Sequence, residues 1–216
     1  MKSICKGPCP SSCSFLPKLT RQRATWSVFS NGKNCRYTKE KETLRKTLLD
    51  LQGYRCVYCE RVVTEKNATI EHFVPRGEND KLTFDWNNLF ISCDSADSCG
   101  HYKDGPQGKK IKLAQMFRPD TPELRIENCF ECEDGVLRPI DSLTNRLREL
   151  AKGTICKTNL NHPRLVFERH ALIKLVLNYV DPVDWKPYIS ADEIRSIFKS
   201  YGFDSLLGQL IRQYFE

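Results

Sequence analysis

Apolar positions change their spacing along the chain, and the changes divide it. Between Thr38 and Gln52, Leu44, Leu48 and Leu51 recur on one helical face. Thr38 can cap that helix and Gly53 can end it. The period then shortens. Arg61–Thr64 and Thr69–Phe73 are β-type runs separated by Glu65, Lys66 and Asn67, which predicts a hairpin. Asp85 can cap a short helical segment that begins at Trp86. Arg125–Cys132 and Val136–Ile140 flank Glu133, Asp134 and Gly135, a second hairpin signal. The last third is helical. Ser142–Lys152 repeats Leu143, Leu147 and Leu150 and stops at Gly153. Asn161 caps a longer helix with Pro163 in its first turn and a stop at Pro182. Ser190 and Glu193 form a capping box for a helix to about Tyr201, and Asp204 opens the last one. The class is α+β.

Residues 1–37 have little periodicity, and Pro8, Pro10 and Pro17 bias their predecessors toward extended backbone. The expected organisation is therefore an extended arm over 1–37, a compact core over 38–110, and a hairpin plus helical region over 111–216. That last region is the expected partner-binding part.

Charge sharpens the picture of the arm. The chain has 216 residues and a net charge of +7. Residues 1–46 carry eleven Lys or Arg against two acids, more than the whole net excess. Such a segment suits phosphate contacts, or simply solvation. An apolar content of 40% allows a core. No apolar run suits a signal peptide or reaches membrane-spanning length, so a cytoplasmic location with reduced thiols is expected. Eleven cysteines then point to metal ligation rather than disulfides. Cys5, Cys9 and Cys13 read as incidental thiols in the arm. Cys129 and Cys132 fall three apart on a strand, on opposite faces, which disfavours joint ligation.

The chemistry concentrates between Cys56 and Lys103. Cys56-x2-Cys59 and Cys93-x5-Cys99 offer two thiolate pairs, and four thiolates close a tetrahedral zinc shell, so this zinc would be structural. It would staple a segment too short to bury much apolar area. Between the pairs lie Glu71 and His72. Phosphodiester hydrolysis needs an activated water and positive charge on the phosphate and the leaving oxygen. A neutral imidazole can take the water's proton near pH 7. Adjacent strand residues face opposite ways, so Glu71 and His72 flank one cleft only at a strand end or bulge. Pro75 favours such an exit. In that arrangement the carboxylate holds a divalent ion and the imidazole holds the water. His101 follows the second cysteine pair, which would bring it back toward Glu71. Asn88 is placed to bond loop backbone, and Arg76 and Lys103 could hold phosphates.

These residues resemble the HNH endonucleases, the ββα-metal nuclease family. The family pattern is Cys-x2-Cys, then apolar-Asp/Glu-His-apolar-x-Pro, then Asn-Leu, then Cys-x2-Cys-Asn/His-x2-Lys. This chain reads CVYC from Cys56, IEHFVP from Ile70, NNL from Asn87 and CDSADSCGHYK from Cys93. The resemblance implies a zinc-stapled ββα-metal core. By position, His72 would be the general base, Glu71 a metal ligand and Asn88 the loop brace. His101 would be the last metal ligand, shifted by one because Gly100 follows Cys99. The implied cofactors are a structural Zn2+ and a catalytic Mg2+ or Mn2+, with Zn2+ and Ni2+ compatible with an imidazole ligand. The implied products carry 5′-phosphate and 3′-hydroxyl ends.

A looser resemblance spans most of the chain. Lys6-Gly7-Pro8, Leu19-Thr20-Arg21, Thr43-Leu44-Arg45 and Asn161 to Leu165 are similar to the HNH subunit of retron-associated and Septu-type anti-phage systems. It implies an effector working on DNA or RNA with an ABC-like ATPase, in some systems also with a retron reverse transcriptase and its RNA–DNA product. The residues themselves also admit a zinc-stapled nucleic-acid-binding module that does not cut, or a scaffold subunit.

Overall fold

A computed structural model describes residues 1–30, 35–180 and 189–215. The expected extended arm is folded back on the core. Pro17 sits in the first turn of α1 (Leu16–Arg21), where its missing N–H costs nothing, and α2 (Trp26–Ser30) follows. Cys13, Leu16, Leu19 and Phe29 are buried. The arm's apolar residues had partners that lie far along the chain, so local spacing did not expose them. Lys6 shows how the strap is tied. Its ammonium donates to the carbonyls of Trp86 and Leu89 and lies over the Trp86 and Phe90 rings. The Trp86 indole in turn donates to the Gly7 carbonyl at 2.9 Å.

Helix α3 (Thr38–Leu51) forms over the expected span, but it buries Leu44, Leu48 and Leu49 while Leu51 is exposed, and Thr38 is its first residue rather than its cap. Gly53 follows it at φ +57°, a conformation that suits glycine. The expected hairpin between Arg61–Thr64 and Thr69–Phe73 does not form. Backbone at 61–63 turns back instead: Cys56 N–H donates to the Arg61 carbonyl and Val63 N–H to the Tyr54 carbonyl. This closes the loop that carries Cys56 and Cys59. Strand β1 (Ala68–His72) pairs antiparallel with β2 (Leu89–Cys93), from Ala68 opposite Cys93 to His72 opposite Leu89. Every residue of β2 is buried, which makes it the apolar partner that β1 needs. Helix α4 (Cys99–Asp104) then packs on β2.

The second hairpin forms as β3 (Phe130–Glu133) and β4 (Val136–Pro139). Helix α5 (Asn145–Lys157) runs through Gly153 rather than stopping there. A Cβ at Gly153 would lie 1.8 Å from the Gln115 carbonyl oxygen, so glycine permits a close approach, not a helix end. Helix α6 (Pro163–Leu177) is capped by His162, not Asn161. Asn161 bonds both backbone groups of Leu137 at 2.9 Å and ties α6 to β4. The expected stop at Pro182 lies outside the described residues. Helices α7 (Ala191–Phe198), with its capping box, and α8 (Asp204–Tyr214) complete the chain. Buried residues from all three sequence segments join one apolar cluster, from Leu16 through Ile91 to Ile211. No described helix is long and apolar enough to cross a membrane.

Candidate functional site

The loop closed by residues 61–63 presents Cys56 and Cys59, the end of β2 presents Cys93, and the start of α4 presents Cys99. All four are buried, and their sulfurs lie within 4.8 Å of one another. Cys59 Sγ and Cys93 Sγ are 3.9 Å apart. Zn–S bonds of ~2.3 Å at tetrahedral angles require sulfurs ~3.8 Å apart, so the cluster fits zinc. Burial opposes charge on Cys56, but the neighbouring Cys59, Cys93 and Cys99 sulfurs hold its thiol well below the usual value. The closeness of Cys56 in turn pushes the Cys59 and Cys99 thiols up. The five-residue gap before Cys99 is accommodated because the Cys99 N–H is anchored on the Thr158 carbonyl at 2.8 Å, at the end of α5.

The regular β1 register extends through His72, so Glu71 and His72 point to opposite faces of the sheet. They do not flank one cleft at an irregular exit. Glu71, 6% exposed, faces α4. Its Oε1 accepts from the Tyr58 hydroxyl at 2.9 Å and pairs with the Lys103 ammonium at 3.1 Å. Burial pushes its carboxyl up to about 7, against the pull of Lys103. Burial also acts against the Lys103 charge, but Glu71 and Asp104 hold its pKa above the usual lysine value. Lys103 is fully buried and donates to the His72 and Phe73 carbonyls at 3.1 and 3.2 Å. It joins α4 to β1; it is not a surface cation available to a phosphate.

His72 faces the N-terminal segment. Its Nε2 lies 3.0 Å from the Thr83 carbonyl, which can only accept, so Nε2 carries the ring proton and Nδ1 keeps its lone pair. The Trp26 ring meets the imidazole edge-on at 4.5 Å. Burial pushes the His72 pKa down to about 4, opposed by the Thr83 bond and assisted by Arg76 and Lys103. The ring is neutral at pH 7. Asn88 is buried and braces the loop after β1. Its Oδ1 accepts from Val74 N–H at 2.8 Å, and its amide donates to the carbonyls of Val74 and Leu82 at 3.0 and 3.2 Å. Leu82 directly precedes the carbonyl that orients His72.

His101 lies elsewhere. A helix turns ~100° per residue, so Gly100 and Lys103 share the face of α4 turned to Glu71, while His101 is ~160° from Lys103. His101 is exposed and hydrogen-bonds to no described side chain. A Cβ at Gly100 would lie 2.2 Å from Glu71 Oε2, so the position where the family carries Asn or His is filled here by the carboxylate itself. Among the described residues, the four cysteines are the one group of three or more His, Cys, Asp or Glu close enough to share an ion. Glu71, His72 and His101 form no such group. In this arrangement they do not fit a catalytic divalent ion. Arg76 is exposed, with its guanidinium 5.6 Å above the Trp26 ring.

Sequence reasoning missed Tyr58, Trp26 and Thr83. Tyr58 was signalled by its place inside the first cysteine pair. Trp26 and Thr83 reach the site only through long-range folding.

No family model matches the chain. It is 27% identical over 144 residues to the "Retron Vc95 putative HNH endonuclease" of Vibrio cholerae serotype O1 biovar El Tor, covering 63% of this chain and 66% of that protein. It is 31% identical over 97 residues to "Septu protein PtuB" of Bacillus thuringiensis, covering 44% of this chain and 36% of that one. The matched segments thus span less than two thirds of either relative. Both matches support the resemblance to HNH-type, retron- and Septu-like defence proteins.

Proposed function

We propose that this protein is an endonuclease that hydrolyses phosphodiester bonds of DNA or RNA, with His72 as general base. The observation that carries the reading is the bond between His72 Nε2 and the Thr83 carbonyl. It leaves Nδ1 unprotonated, and burial keeps the ring neutral at working pH. Nδ1 takes a proton from water as the water oxygen bonds to phosphorus and the bond from phosphorus to the 3′ oxygen breaks. The leaving 3′ oxygen takes its proton from solvent, which gives 5′-phosphate and 3′-hydroxyl ends. Arg76 holds the phosphate and offsets its growing negative charge. Asn88 keeps the loop in place and so fixes the carbonyl that orients the base. The cysteines hold a structural zinc. The family's Mg2+ or Mn2+ is assigned no step here, because Glu71 is engaged by Lys103 and His101 faces away. The relatives' names support a role in anti-phage defence. In that role we place the protein in the cytoplasm, with residues 111–216 docking an ABC-like ATPase and, in a retron, the reverse transcriptase and its RNA–DNA product.

The test is cleavage of supercoiled plasmid and of total RNA by the chain together with its operon partners, with and without His72→Ala. Loss of a general base costs ~10²–10⁴-fold in rate. Full cleavage by a folded, zinc-loaded His72→Ala protein would refute the assignment. The buried state of His72 and the Glu71–Lys103 pair favour a second reading, a zinc-stapled subunit that grips nucleic acid without cutting. Binding without strand scission by the complete assembly would select it.

A further inference from the structure

We propose that the cleft between Thr20–Ser27 and the Arg76–Phe84 loop binds an unpaired stretch of nucleic acid, with Trp26 as a stacking platform and Arg23, Arg76 and Lys81 on flanking phosphates. The proposal rests on the nuclease reading and names its substrate class.

The cleft encloses about 650 Å³ and is lined by Arg23, Trp26, Arg76, Lys81 and Phe84, among others. That is ample for a nucleotide, since small-molecule sites of ~300–1,000 Å³ are usual. Arg23, Arg76 and Lys81 are exposed, and Asp80 is the one acid among the lining residues. Trp26 is half-buried and held by neighbouring rings, with Phe29 at 5.2 Å and Phe84 at 5.8 Å. Its ring lies 4.5 Å from the His72 imidazole, centroid to centroid, which puts the indole directly beside the proposed base. Arg76 lies over the indole at 5.6 Å, so the cleft sets a π-face and a cation side by side, one suited to a base and the other to a phosphate.

Fixed aromatic rings interleaved with cations are the composition of single-strand sites, because every base offers a π-face and every nucleotide a phosphate. Paired bases in a duplex hide those faces in the stack. A duplex would therefore leave the indole with only backbone to touch, whereas an unpaired nucleotide uses both parts of the cleft. The chemistry does not distinguish deoxyribose from ribose, so both are arms of the test.

The experiment measures binding of labelled DNA and RNA single strands, and of blunt duplexes of the same sequence, by fluorescence anisotropy. A His72→Gln background prevents cleavage. The expected result, in at least one sugar series, is tighter binding of the single strand than of the duplex. Trp26→Ala should weaken the single strand by ~5- to 150-fold, the range for losing one stacked base, and Trp26→Phe should restore most of it. Arg76→Ala and Lys81→Ala, at exposed positions that keep the fold, should each lower the slope of log affinity against log salt by ~0.7. Equal or tighter duplex binding in both series overturns the proposal. So does unchanged single-strand binding by both Trp26→Ala and Arg76→Ala. Normal binding by Trp26→Ala together with faster cleavage when the same change is made in the His72-intact assembly would mark Trp26 as a cover over His72, which also overturns it. Trp26-dependent binding with no cleavage by the His72-intact assembly would leave the cleft standing and refute the nuclease reading alone.

Discussion

Replacing Asn88 tests how the loop after β1 holds the proposed base. Asn88 is 2% exposed and makes three hydrogen bonds, one accepted from Val74 N–H and two donated to the Val74 and Leu82 carbonyls. Each such bond contributes ~1 kcal/mol net, so Asn88→Ala should cost about 3 kcal/mol. At ~2–4 °C per kcal/mol for a chain of this size, the melting temperature should fall by ~6–12 °C at fixed zinc concentration. Asn88→Asp is the sharper probe. It keeps the shape and the bond from Val74 N–H, but sets a carboxylate oxygen against two carbonyl oxygens, with no proton between them. It should be at least as destabilising as alanine at neutral pH. Both changes release the Leu82 carbonyl, one residue before the group that fixes the His72 tautomer. Cleavage should therefore fall by at least ~10-fold in protein that is still folded, a part of the ~10²–10⁴-fold tied to the base itself. An Asn88→Ala protein melting within ~2 °C of the parent would refute the bracing role. An Asn88→Asp protein more stable than Asn88→Ala would show that the two carbonyls do not depend on the amide.

Three further outcomes follow from the same geometry. The purified chain should carry one zinc, lost in Cys99→Ser as in Cys56→Ser, and a Co2+-substituted sample should give the bands of a tetrahedral thiolate site; full zinc in Cys99→Ser by elemental analysis would remove Cys99 from the shell. Lys103→Met breaks a buried ion pair and should cost ~3–5 kcal/mol in chemical denaturation, with much of the loss recovered in Glu71→Gln/Lys103→Met; simple additivity of the two single losses would show that the pair is not coupled. His72, with a folded pKa near 4 against an ordinary 6.5, binds fewer protons folded than unfolded between those values, so its contribution to stability is present above pH 6.5 and lost as pH falls toward 4. The stability difference between the parent and His72→Gln should grow with pH across that window, and the imidazole NMR signals should not titrate between pH 5 and 8; titration near 6.5 would contradict a buried neutral ring.

What the sequence disclosed was mostly local. Helix α3, the β3–β4 hairpin and the Ser190 capping box each depend on residues within a few positions of one another, and each formed. The four cysteines converge as expected because their ligand chemistry constrains them whatever the route between them. The bracing position of Asn88 was legible from its place between the Glu-His pair and the second cysteine pair and from the family resemblance. The partner of β1 was not legible. Its neighbour in sequence was already used to close the cysteine loop, and β2 lies beyond a long loop. The N-terminal segment was misread because Pro17 starts a helix as readily as it extends a chain, and because its apolar residues pack against Phe84 and other distant groups.

The α4 face turned to Glu71 explains why the metal expectation and the geometry part company. Read as a helix from Cys99, the segment puts Gly100 and Lys103 at i and i+3, on the side of the carboxylate, and His101 away from it. The sequence held one sign of this departure: the position after Cys99 is glycine where the family pattern has Asn or His, while Lys103 matches the pattern. Lys103 then supplies in covalent form the positive charge that Glu71 needs to remain buried, and Tyr58 supplies a hydrogen bond. Lys103 also pairs with Asp104 at 2.5 Å, so one ammonium is shared between two carboxylates, and burial and Asp104 both push the Glu71 carboxyl up against the pull of Lys103. The carboxylate acts on the site through architecture, by holding α4 against the strand whose other face carries His72.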